Sequence, residues 1–328
     1  MSEKSAILAI DVGSVAVSVV KLDAERKLTA GVYRFHHGDV EKTLVNIVAA
    51  VGGGDVGRVV ATASTPSLVS AQRRYDNQIA FIEAARRYHP QLLGLLVVGG
   101  EKFFYSTFAP DGRYTGSTSN TSCAAGTGSF LDQQAGRLKM KDSAELSSIA
   151  CGNTGRCPKI ASRCAVFAKT DLIHAQQEGY QYEEISDGLC HGLAQNIVDT
   201  LFTGETHPQE ILFCGGVSKN RAVAGHIEKA LGISLRVPKQ GHLYGALGAA
   251  LCAAVDIDAL EERALNDAAD VIAASQVQRR YAYPSLELSL SSYPEFASRK
   301  RYEWGEKSGN PVEVDIYEPL QGELMVLV

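Results

Sequence analysis

Apolar runs of strand length alternate with glycine-punctuated turns and helix-period segments over the first 254 residues of this chain. Ala6-Ile-Leu-Ala-Ile-Asp-Val12 is a buried-strand run that ends in Asp11-Val-Gly-Ser14. β-rich runs follow at 15–22 and near 28–35, and three adjacent runs joined by short turns predict an antiparallel meander. A helix is expected at 40–51, a strand at 58–63 and a helix at 76–88. The apolar run Leu92–Val98 stops at Gly99-Gly-Glu-Lys102, and Pro110-Asp-Gly112 predicts a hairpin with arms at 103–108 and 113–118. From 129 to about 203 the pattern is mostly helical, with Ile185, Leu189, Leu193 and Ile197 recurring on one face. Strand Glu210–Cys214 leads into Gly215-Gly-Val-Ser218 and a helix from Lys219, and a last helix covers 242–254.

The pattern is that of an α/β protein. A strand ending in a glycine turn occurs three times, near 11–14, 99–101 and 214–218, and ligands of open α/β sheets bind at such strand ends. The expected organisation is one subdomain over 1–118, a second over 119–257, and a tail from 258 to 328. Residues 276–328 are polar, with scattered tyrosines and prolines. They read as a linker, an extended wrap or an incomplete module.

Composition narrows the function classes. At 328 residues the chain can form two cores, and 45% hydrophobic with 21% charged residues is ordinary for a globular protein. The formal net charge is −5 and no basic run stands out, so a nucleic-acid partner is not expected. The N-terminus lacks the apolar stretch of a signal peptide, and no run of about 18 apolar residues suggests a membrane span. A cytoplasmic protein without a membrane partner is expected.

Asp11-x-Gly13-Ser14 suits phosphate and Mg²⁺: glycine lets backbone N–H groups face phosphate oxygens, and the carboxylate holds hydrated metal or orients water. A plain tight turn is the alternative. Gly99-Gly100-Glu101 is a second such turn, and Gly215-Gly216-Val217-x-x-Asn220 a third that suits adenosine against backbone. Three in this order are more specific than any one. The run Cys123-Ala-Ala-Gly126-Thr127-Gly128-Ser129 places a thiol beside a helix start. Ser129 and Asp132 read as a capping pair for a helix at 129–138, whose free N–H groups would face a phosphate or a thiolate-bound cluster.

Of seven cysteines, Cys190, Cys214 and Cys252 stand alone in apolar segments and read as core residues. Cys123, Cys151, Cys157 and Cys164 fall together in polar sequence. Two thiolates from each of two copies would complete a four-thiolate site across a two-fold axis. One intrachain site built from all four, for zinc or a cluster, is the alternative, although their spacing is not the usual zinc pattern.

Taken together, Asp11-Val-Gly-Ser14, Cys123-Ala-Ala-Gly-Thr-Gly128, Cys164-Ala-Val-Phe167, Gly215-Gly-Val-Ser-Lys-Asn220 and Gly245-Ala-Leu-Gly248 resemble the BadF/BadG/BcrA/BcrD ATPase family over about residues 6–254. These are the activators of 2-hydroxyacyl-CoA dehydratases and the ATPase subunits of benzoyl-CoA reductases. The string 120–134 and Cys157-Pro-Lys-Ile-Ala-Ser-Arg-Cys164 look most like the N-terminal module of long two-module activase-like proteins. On that likeness the chain is expected to be part of a longer protein.

The resemblance implies two ribonuclease H-like domains of the acetate kinase, sugar kinase, Hsp70 and actin superfamily, with ATP or ADP and Mg²⁺ in the cleft. Asp11, Gly13, Ser14, Val15, Gly99, Gly100, Glu101, Gly126, Thr127, Gly128, Gly215, Gly216, Val217 and Asn220 would meet the nucleotide. Asp11 and Glu101 would be catalytic. It also implies a [4Fe–4S] cluster held by Cys123 and Cys164 of each copy of a homodimer, with Cys151 and Cys157 as additional candidates. The partners implied are an iron–sulfur acyl-CoA dehydratase or reductase as acceptor and a flavodoxin or ferredoxin as donor. In the activators the second turn typically reads Asp-x-Gly-Gly-Gln-Asp, and here Glu101 stands at the glutamine position. The first turn often continues Thr-Thr-x-Lys, where this chain has Val15-Ala-Val-Ser18. A regulatory or scaffold module with weak hydrolysis, and a small-molecule kinase on the same fold, are the rival readings.

Overall fold

The structure is a computed structural model and describes residues 6–120, 127–162, 165–204, 207–273, 300–304 and 312–316. The chain forms two compact units, Met1–Ser275 and Gln276–Val328. The larger unit starts with β1 (Ala6–Val12), β2 (Ala16–Leu22), β3 (Leu28–Phe35), α1 (Val40–Val51), β4 (Val56–Thr62), β5 (Arg73–Tyr75) and α2 (Asn77–Tyr88). Its strands make one sheet in the order β3-β2-β1-β4-β5. The pairs β1–β2 and β2–β3 are antiparallel, as the meander predicts, and β4 and β5 join in parallel.

The second half contains β6 (Gly94–Val98), β7 (Phe103–Phe108), β8 (Tyr114–Ser119), α3 (Gly128–Arg137), α4 (Ser143–Cys151), α5 (Ala165–Gln177) and α6 (Tyr182–Leu201). It continues with β9 (Glu210–Cys214), α7 (Arg221–Leu231), β10 (Ser234–Arg236) and α8 (Tyr244–Val255). Its sheet runs β10-β9-β6-β7-β8, with β6–β7 and β7–β8 antiparallel and β9 and β10 joining in parallel. The two sheets therefore repeat one topology. Sheet membership changes between Tyr75 and Gly94 rather than at residue 118, because among the described residues β6 pairs with β7 and β9 and with no strand of the first sheet.

Both faces of the first sheet are covered, which explains the near-continuous apolar run of β1. Ile7 and Ala9 pack on the side of α2 and α8, while Leu8, Ile10 and Val12 pack with Leu44, Ile47 and Val48 of α1. The helices α2 and α8 form a middle layer, since their core also takes in Leu95, Val97, Phe104 and Leu212 of the second sheet. Helix α8, Tyr-Gly-Ala-Leu-Gly-Ala-Ala-Leu-Cys-Ala-Ala-Val, is built mostly of small residues, and Gly248 lies directly against the Ala80 backbone of α2. The outer face of the second sheet packs on α3, α4, α6 and α7, with Ile185, Leu189, Leu193 and Ile197 of α6 all buried in that core. In the smaller unit, β11 (Lys300–Trp304) and β12 (Val312–Ile316) form an antiparallel ladder. Among the described residues no helix is long and apolar enough to cross a membrane.

Candidate functional site

The repeated topology produces paired turns. At the end of β1, Gly13 N–H donates to the Ala16 carbonyl at 2.9 Å; at the end of β6, Gly99 N–H donates to the Lys102 carbonyl at 2.8 Å. The second turn touches the first, because Gly100 lies against the Ser14 hydroxyl and the Val15 side chain, too close to admit a Cβ. The third turn follows β9. Gly215, with φ +88°, stacks on the Val98 backbone, a placement that excludes a side chain.

A cavity of about 240 Å³ opens where these turns meet. It is lined by Val15, Gly99, Gly100, Gly128, Gly216, Val217 and Asn220 among the residues predicted from sequence. Tyr33, Phe35, Leu131, Asp132, Ser143, Ala144 and Lys219 complete it. The glycine-lined wall leaves backbone where side chains would fill the space, which fits the phosphates of a nucleotide.

Asp11, the penultimate residue of β1, is not in the cavity lining but immediately precedes the turn that carries Val15 into it. Its Oδ1 accepts the Thr62 hydroxyl at 2.6 Å and the Ser64 hydroxyl at 3.2 Å, and Gly245 of α8 packs against its Oδ2. Burial raises the Asp11 pKa, and the Thr62 and Ser64 hydrogen bonds oppose that rise. A carboxylate so placed, at the end of the strand that leads into the first glycine turn, has the donor chemistry for Mg²⁺. Thr65 steadies the group, accepting Val12 N–H at 3.0 Å and lying 3.0 Å from the Thr62 hydroxyl. This hydroxyl turn follows β4 as Gly215–Gly216 follows β9. That correspondence between the halves is the signal in the sequence that could have revealed it.

The start of α3 departs from expectation. Ser129 and Asp132 do not cap the helix; Thr127 is the N-cap and makes no side-chain cap bond. Instead Gly128 N–H donates to the Gly99 carbonyl at 3.0 Å, Ser129 N–H to Gly100 at 2.9 Å, and the Thr127 hydroxyl to Gly100 at 2.6 Å. The first N–H groups of the helix are thus spent on the second glycine turn rather than held free for an anion. Asp132 faces α4, where it accepts Ser143 N–H at 3.3 Å.

Glu101 is exposed, and its carbonyl accepts the Asn120 amide at 3.0 Å. Its carboxylate is not part of the cavity lining. Asn220 caps α7, accepting Val223 N–H at 3.0 Å, and its amide also meets the buried Cys190 thiol. Cys123, Cys164 and Gly126 lie outside the described residues. Cys151 and Cys157 are exposed. The Cys157 thiol donates to Asp187, and burial with that carboxylate pushes its pKa up to about 11. Among the described residues no group of three or more His, Cys, Asp or Glu side chains gathers as a metal site.

Tyr33 and Lys219 line the cavity, and His242 packs against Tyr33; Tyr33 and His242 carry no local sequence signal. The Lys219 ammonium lies 4.8 Å from the centre of the Tyr33 ring, and the His242 ring meets Tyr33 edge-on at 5.3 Å. Burial and the Asp132 and Asp11 carboxylates push Tyr33 up to about 12, while burial lowers Lys219. Burial, then the Lys219 charge, takes His242 from 6.5 down to about 4. The unfolded chain takes up this proton near 6.5, whereas the folded protein resists it until about 4. Protonation therefore favours unfolding in that window, and stability is expected to fall as pH drops through it. Urea denaturation of the wild type and His242→Asn across the window checks this; the variant should lose less stability on acidification, and equal losses would assign the slope elsewhere.

The profile of the BadF/BadG/BcrA/BcrD ATPase family matches residues 8–253. The chain belongs to this family. It is 34% identical over 143 residues to the (R)-2-hydroxyglutaryl-CoA dehydratase activating ATPase of Acidaminococcus fermentans, covering 44% of this chain and 54% of that protein. Against the 2-hydroxyisocaproyl-CoA dehydratase activator of Clostridioides difficile it is 30% identical over 164 residues, 50% of this chain and 60% of that one. The chain thus aligns with little more than half of each named activator. An uncharacterised protein of Methanocaldococcus jannaschii is 27% identical over 247 residues, 75% of this chain and 99% of its own length. The crystal structure of component A of the A. fermentans dehydratase superposes with a TM-score of 0.68 at 25% identity, covering 77% of this chain and 99% of that one. The repeated sheets are accordingly the two ribonuclease H-like halves of the acetate kinase, sugar kinase, Hsp70 and actin superfamily.

Proposed function

We propose that this chain is an ATP-driven activator that passes a low-potential electron to an iron–sulfur acceptor of the 2-hydroxyacyl-CoA dehydratase or benzoyl-CoA reductase type. The observation that carries this reading is the attachment of Thr127, Gly128 and Ser129 to the carbonyls of Gly99 and Gly100. One turn lines the nucleotide cavity and also grips the residues that follow Cys123 in sequence. A phosphate pressed between the Gly13–Val15 and Gly99–Gly100 turns would move the second turn, and the start of α3 would follow it.

Asp11 would hold Mg²⁺, fixed by Thr62 and Ser64. Glu101 would position the attacking water once the cleft closes. Adenosine would lie along Gly215–Val217 and Asn220. The thiols of Cys123 and Cys164 are the donor chemistry of a [4Fe–4S] cluster, and two such thiols per chain call for a second copy to complete four. That cluster would supply one-electron storage at low potential, refilled by a flavodoxin or ferredoxin. The named relatives support the dehydratase-type acceptor.

Anaerobic iron and sulfide analysis with a visible spectrum, on protein of known oligomeric mass, tests the reading. About four irons per dimer and bleaching on reduction are expected. Cys123→Ala and Cys164→Ala should each lose that iron while binding ADP within about twofold of wild type. Zinc or no metal on a monomer after anaerobic reconstitution would overturn the proposal.

A further inference from the structure

The cavity has two chemically different ends. Gly99, Gly100 and Gly128 make one, where backbone lies open. Asp132 stands four residues further along α3, about 6 Å up the helix axis, beside Tyr33, Ser143 and Ala144. Among the described residues it is the only carboxylate that lines the cavity. Among the described residues its hydrogen-bond donors come from Ser143 alone, and the backbone bond is long at 3.3 Å. Among the described residues no salt bridge reaches it: the Lys219 ammonium sits over the Tyr33 ring, and of the charges that act on it from a distance His37 favours and Asp142 disfavours its ionised form. Burial raises the Asp132 pKa, as expected of a carboxylate short of partners.

A half-buried carboxylate repels phosphate and seeks neutral donors. It has more acceptor capacity than one serine provides. The ligand group that meets this demand within one helical turn of a phosphate cradle is a vicinal diol. Dinucleotide-binding folds solve the same problem with an acidic residue on the ribose hydroxyls. We infer that Asp132 accepts the ribose hydroxyls of the bound nucleotide and selects ribonucleotides over deoxyribonucleotides. This inference rests on the reading of the cavity as a nucleotide site.

Isothermal titration calorimetry of the whole protein with ATP, 2′-deoxy-ATP and 3′-deoxy-ATP tests it. Wild type is expected to bind at least one deoxy analogue about tenfold more weakly than ATP, the worth of a hydrogen bond to a charged group. Asp132→Asn, which keeps an acceptor for Ser143, is expected to weaken ATP about tenfold and so to narrow the gap between ATP and the analogue that wild type discriminates against to within about twofold. Asp132→Glu should restore part of the preference. Equal weakening of all three ligands in Asp132→Asn would make Asp132 a purely structural link between α3 and α4. A wild type that binds ATP without discriminating would overturn the inference and leave the nucleotide site standing. A wild type that binds none of the three would bring down the nucleotide site and the inference together.

Discussion

Replacing Gly248 with alanine is expected to destabilise the protein by about 3 kcal/mol, the upper range for overpacking a close-packed contact. A Cβ at this position would land on the Ala80 carbonyl, which is backbone and has no rotamer in which to escape. Ala80, Ala84, Ala246, Ala249 and Ala250 are all fully buried, so α2 and α8 have no slack layer between them. Both helices also touch the two sheets, and the strain of prising them apart would reach β1 and β6 together. Chemical denaturation should show a lower midpoint with an unchanged slope. A loss under about 0.5 kcal/mol, the size of an ordinary surface change, would mean that the helices slide apart freely. Gly245, one turn earlier, faces the Asp11 carboxylate, so the small-residue face of α8 serves both packing and the site.

Much of this was legible in the chain because local pattern and tertiary role agree. The apolar β1 run marks a strand buried on both faces, and Pro110-Asp111-Gly112 marks a hairpin whose Gly112 has φ +81°. The glycine turns were legible because close backbone approach demands glycine, and Gly100, Gly128 and Gly215 each meet such an approach. What escaped was decided by contacts between distant segments. Ser129 and Asp132 have the spacing of a cap, yet the Gly99–Gly100 carbonyls take the first N–H groups and Ser143 takes Asp132. The change of sheet near Gly94 depends on β6 meeting β9, which no local period encodes. Tyr33 is an unremarkable strand residue until β3 brings it under Lys219. Thr62, Ser64 and Thr65 look like an ordinary polar turn until Asp11 is placed above them.

Asp11→Asn is expected to slow ATP hydrolysis at least about 100-fold while the protein still folds and binds nucleotide. The amide is close in shape to the carboxylate, an important point where Gly245 leaves no spare volume. Its carbonyl oxygen still accepts from Thr62 and Ser64, so the hydroxyl turn after β4 keeps its partner. The charge is what disappears. Burial already raises the Asp11 pKa, so the folded protein carries this carboxylate at a cost that the amide does not incur. The unfolding midpoint should therefore hold or rise, and that separates loss of chemistry from loss of structure. In the proposed role hydrolysis would need the charge itself, because Mg²⁺ prefers anionic oxygen and binds a neutral amide poorly. Hydrolysis at saturating Mg-ATP, ADP affinity and the denaturation midpoint should be measured on one preparation. A rate within about threefold of wild type, with affinity intact, would remove Asp11 from the metal and water chemistry and turn attention to the exposed Glu101.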